Sequence, residues 1–73
     1  MHRTTLTFRL SGPDVQRDLL HEFTLHPGVT AWSVDEEGVP TIAVETRSAP
    51  AALWDVRATV GMFDDGAEEV TSQ

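Results

Sequence analysis

Three histidines (His2, His21 and His26), four serines and twelve carboxylates are the groups in this chain that could move protons, attack a substrate or hold a metal. Zinc held by imidazoles favours pairs that share a helix face, as in His-Glu-x-x-His. His21 and His26 are five residues apart and His2 lies at the terminus, so no such pair exists. The absence of cysteine excludes thiolate-held zinc, iron–sulfur clusters and disulfides. Ser11, Ser33, Ser48 and Ser72 supply hydroxyls, but none sits in a nucleophile elbow and no glycine-rich phosphate loop is present. Asp14 with Asp18, or Asp64 with Asp65, could form a carboxylate pair for acid–base work. Asp14 reads better as charge in a helix's first turn, and Asp64-Asp65-Gly66 as turn chemistry. The expectation is a protein that is not an enzyme, with no cofactor and no resident metal.

Charge narrows the partners. Twelve Asp and Glu against five Arg, with no Lys, give a net charge of −7. The resulting field repels phosphate backbones and anionic lipid. Direct nucleic-acid binding and membrane association are therefore not expected, and no apolar signal core follows Met1-His2-Arg3. A soluble cytoplasmic protein is the expectation. With 73 residues there is room for one domain and one small core, over 1–73 with an ordered core about 4–71.

The elements that must position these groups are legible in the patterning. Leu6, Phe8 and Leu10 alternate with Thr5, Thr7 and Arg9, which predicts a half-buried strand. Pro13 and Asp14 open a helix, with Val15, Leu19, Leu20 and Phe23 on one side, expected to stop near His26 before Pro27-Gly28. Val29 to Val34 reads as a second strand, Asp35-Glu36-Glu37-Gly38 as an acidic turn, and Pro40 to Thr46 as a third strand. A second helix follows, with Ser48 as N-cap, Pro50 in the first turn, and Leu53, Val56 and Val60 facing inward. Ala67 to Thr71 predicts a short last strand, with a frayed tail beyond. The order βαββαβ predicts an α+β, ferredoxin-like domain: a four-stranded antiparallel sheet with two helices on one face.

The segment Phe8-Arg9-Leu10-Ser11-Gly12-Pro13-Asp14-Val15-Gln16-Arg17-Asp18 occupies the place of the metal loop in heavy-metal-associated domains. With Pro27-Gly28-Val29 through Val34-Asp35, and Gly38-Val39-Pro40 through Val44, it resembles that family across most of residues 4–46. The resemblance implies the fold and, in the family, a Gly-Met-x-Cys-x-x-Cys loop that holds a soft monovalent ion. Laid on that loop, Gly12 is retained, Pro13 replaces Met, and the two thiolate positions fall on Val15 and Asp18. Valine has no donor and aspartate is a hard oxygen ligand, so the family's metal transfer is not expected of this chain.

A non-catalytic binding or regulatory module is then the leading expectation, acting through the sheet face or edge strand toward a protein partner or a second copy. Trp32, Trp54 and Phe63 are expected first in the core. A one-residue slip of the second strand would instead expose Trp32 beside Thr5, Thr7 and Ala43, where a partner could grip it. The alternative is an acidic inhibitor whose carboxylates Asp64, Asp65, Glu68 and Glu69 imitate nucleic acid and block a nucleic-acid-binding protein. A further alternative is a small-effector or hard-metal site between Gly12 and Asp18.

Overall fold

The computed structural model describes residues 2–70, with backbone alone at 35 and 36. The chain runs β1 (Arg3–Arg9), α1 (Pro13–Phe23), β2 (Thr30–Glu36), β3 (Val39–Arg47), α2 (Pro50–Phe63) and β4 (Glu68–Val70). The strands form one antiparallel sheet in the order β2-β3-β1-β4. This is the ferredoxin-like topology that the order of apolar patterns predicts. The last strand was expected to reach Thr71; that residue, Ser72 and the tail lie outside the described residues.

Register follows from the β2–β3 turn. Glu36 pairs with Val39, leaving Glu37 and Gly38 as a two-residue loop with φ of 52° and 77°. Positive φ at both positions is the left-handed geometry that suits the twist of a hairpin, and glycine adopts it without a Cβ clash. The expected four-residue acidic turn is thus shorter: Asp35 and Glu36 belong to the strand, opposite Pro40 and Val39.

Alternation along β1 and β3 sends Leu6, Phe8, Ile42 and Val44 to the helix-covered side, where Leu19 and Phe23 of α1 and Val56 and Val60 of α2 complete the core. Both helices begin on proline, which needs no amide partner in the first turn. α1 stops at Phe23 rather than near His26. The amides of Thr24, Leu25 and His26 bond three residues back instead of four, to His21, Glu22 and Phe23, which tightens the chain out of the helix. Ser48 is not the N-cap of α2; Ala49 holds that position without a side-chain cap. The Ser48 hydroxyl instead hydrogen-bonds that of Thr4, and the Ser48 amide donates to His2 O, tying the start of β1 to the loop before α2.

The three aromatic residues expected in the core lie at the surface instead. Trp32 is 44% exposed, Trp54 70% and Phe63 40%. On α2 the inward stripe runs through Leu53, Val56, Thr59 and Val60. Trp54 follows Leu53 directly and is rotated about 100° away from it, off the stripe. Phe63 is the last helical residue and lies beyond the core cluster.

Candidate interaction surface

One face of the sheet is packed under the helices, and the other is open. On the open face the registers align Trp32 with Ala43, Ala43 with Thr7, and Thr7 with Val70, one residue from each strand in a row across the sheet. Parallel rows lie on either side: Val34, Thr41, Arg9 and Glu68 toward the hairpin tip, and Thr30, Glu45 and Thr5 toward the other end. Trp32 sits on the edge strand beside the buried Ala43, so its indole stands next to a small neighbour with nothing of comparable size opposite. Thr5, Thr7 and Trp32, the residues singled out in sequence, therefore share one surface. Arg3, Arg9, Glu45, Val34 and Val70 join them by alternation. Their signal was available: an even-length loop between β2 and β3 pairs even-numbered residues of one with odd-numbered residues of the other, and Ala43 faces away from Ile42 and Val44.

The acidic set divides. Asp64 is 8% exposed. Its Oδ1 accepts from the Ser11 hydroxyl at 2.6 Å and the Gly66 amide at 3.0 Å, and its Oδ2 from the Ser11 amide at 2.7 Å. The Ser11 hydroxyl, then its amide, and to a smaller degree the Gly66 amide hold this carboxyl below the ordinary range, against burial that pushes it up. Glu69 turns to the helix side and receives Arg57 of α2 in a fork, Nε to Oε1 at 2.8 Å and Nη2 to Oε2 at 3.1 Å. The Arg57 hydrogen bond is the main cause that keeps the Glu69 carboxyl low; burial opposes it and the Arg57 charge adds to it. Glu68 points to the open face opposite Arg9, and Asp65 is exposed in the turn before β4. The four carboxylates meet four different surroundings and do not form one patch.

The loop from Gly12 to Asp18, a candidate metal site in the sequence, is built for support. Gly12 caps α1 in an extended conformation, Pro13 is its first residue, and Asp14 lies in its first turn. Val15 packs against the core cluster. Asp18 is exposed and meets Arg17 at 3.5 Å. Among the described residues no three His, Asp or Glu side chains converge on a common point. His26, not His21, pairs with Glu22, with Nε2 3.0 Å from Oε2, and its ring stands edge-on to Phe23 at 5.4 Å.

Two shallow depressions lie along the helix layer. One, of about 450 Å³, lies where the loop after α1 meets α2 and is lined by His26, Thr46, Arg47, Ala52 and Asp55 among others. The second, of about 380 Å³, lies between α1 and the end of α2, with His21 and Phe63 in its wall. In neither does a hydroxyl stand within hydrogen-bond distance of an imidazole, so neither presents a nucleophile with its base.

Comparison of the chain with models of known protein families, with curated proteins and with solved structures finds no match. No helix among the described residues is long and apolar enough to cross a membrane.

Proposed function

We propose that this chain is a small non-catalytic binding module of the cytoplasm that works through protein–protein contact on the open face of its sheet. Trp32 is the anchor, with Thr5 and Thr7 beside it and the β2 edge adjoining. The scaffold is one that resembles the heavy-metal-associated domains, with metal transfer given up where the thiolate positions became Val15 and Asp18.

The observation that carries this reading is Trp32, 44% exposed on the open sheet face within the edge strand β2. A tryptophan left half in water, next to Ala43 and Val34, forgoes burial that an opposing surface would complete. Tryptophan is also the residue type most enriched where binding energy concentrates. The placement of Asp64 and Glu69 favours this surface over nucleic-acid mimicry, because both carboxylates are engaged within the fold. Net charge of −7 supports a protein rather than a nucleic-acid partner.

Native mass spectrometry of the wild-type chain and of Trp32→Ala, each verified as folded by circular dichroism, tests the reading. The wild type is expected to carry a second chain, its own or another, that the variant loses. Equal association in both, or none in either, would retire it.

A further inference from the structure

We infer that the occupant of the open face is a second copy of this chain, docked face to face about a two-fold axis that runs along the Trp32–Ala43–Thr7 row. The inference rests on the interaction reading above and adds the partner and its orientation.

The first support is the distribution of charge. The helix layer carries Asp14, Asp18, Glu22 and Asp55 against Arg17 and Arg57, so two copies approaching through their helices repel. The open face holds Arg3, Arg9 and Arg47 with Glu45 and Glu68, mixed in sign and close to balanced. In a strongly acidic molecule, this is the face on which a second copy meets least repulsion.

The second support is where those charges fall. Ala43 is the middle residue of β3, so its row divides the sheet face into two halves. A half-turn about that row reverses strand direction and lays each half on the other. The row of Val34, Thr41 and Arg9 then covers the row of Thr30, Glu45 and Thr5 of the second copy. Arg9 of each copy comes over Thr5 and next to Glu45 of the other, whose Oε1 accepts from Arg3 Nε of its own chain at 3.1 Å, giving two symmetric Arg–Glu–Arg clusters. Trp32 lies on the axis, so the two indoles meet and cover each other. An isologous contact of this kind closes on itself and stops at two.

Sedimentation equilibrium of the whole chain over a broad concentration range, with circular dichroism on every variant, tests this. The wild type should be a dimer. Trp32→Ala should weaken it roughly 10- to 100-fold, as loss of a central aromatic anchor does. Arg9→Glu and Glu45→Arg should each weaken it, and the double variant should recover part of the loss, because the swap rebuilds both contacts across the axis while the Arg3–Glu45 pair within each chain is lost. A dimer that survives Trp32→Ala, or is broken by it but not recovered in the double variant, overturns the inference. A wild-type monomer overturns it as well; the interaction reading then survives if a different chain is lost on Trp32→Ala, and fails with it if none is.

Discussion

Ser11 gives two hydrogen bonds to one carboxylate: its amide donates to Asp64 Oδ2 at 2.7 Å and its hydroxyl to Asp64 Oδ1 at 2.6 Å. The pair is 53 residues apart in sequence and joins the loop after β1 to the end of α2. A carboxylate that accepts three donors from a mostly buried position is a strong tie, since hydrogen bonds to a charged acceptor are worth about twice neutral ones. It also determines what Asp64 can do. A group that closes the fold in this way is not presented to a partner.

Replacing Asp64 should therefore act on stability. Asp64→Asn removes the charge and leaves one donor facing a poor partner, and a loss of about 1–3 kcal/mol is expected. The sign of the pH dependence follows from the direction of the shift. The folded carboxyl sits below its unfolded value, so its contribution is fully present above about pH 4 and is lost as pH falls through the folded value. Urea denaturation from pH 7 downward should show the wild type and variant converging in acid; a constant gap would contradict the assignment.

Gly66 completes the same tie. A Cβ built on it would come within 2.8 Å of the Ser11 hydroxyl oxygen, which Asp64 already holds in place. Gly66→Ala should displace that hydroxyl and cost about 1 kcal/mol, although alanine normally gains from reduced chain entropy. In Ser11→Ala the obstructing oxygen is gone, so adding Gly66→Ala should cost less there than in the wild type. Melting temperatures of the four proteins in this cycle give the coupling, and strict additivity would count against it.

Glu37 adopts φ of 52° in the β2–β3 loop, a conformation that L-residues with long side chains avoid and asparagine tolerates. Glu37→Asn should raise stability by about 0.5–1 kcal/mol, and it also removes one of three consecutive acids at the hairpin tip. Chemical denaturation at neutral pH measures this. Because the carboxylate also leaves, Glu37→Gln serves as the control, and it should give much less of the gain.

Surface tryptophans and core positions should separate cleanly in the monomer. Trp54→Gln is expected to change stability by no more than about 0.5 kcal/mol, and Trp32→Thr by less than about 1 kcal/mol, on a strand position that suits threonine. Ile42→Ala, at a fully buried position between the helices and the sheet, should cost about 2–5 kcal/mol. Denaturation followed by far-ultraviolet circular dichroism at high dilution gives the ranking, and a Trp32 variant as costly as the Ile42 variant would put the indole in the core.

Much of the architecture is carried by local rules. The alternation of Leu6, Phe8 and Leu10, the prolines at the helix starts, and the apolar spacing in Val15–Leu19–Phe23 and Leu53–Val56–Val60 act within one element, so they can be read from neighbours along the chain. From these the βαββαβ order and the two-layer arrangement follow. The side taken by Trp32 is only partly local. Val29 to Val34 has little alternation of its own, and the indole's face is set by pairing with β3, whose inward residues Ile42 and Val44 leave Ala43, and with it Trp32, outward. The Ser11–Asp64 tie and the Arg57–Glu69 fork have no local signature at all. Asp64-Asp65-Gly66 looks the same in sequence whether its first carboxylate is solvated or enclosed. Packing decides between the two, because it brings the loop after β1 against the end of α2 and thereby turns one member of an acidic pair into a buried acceptor.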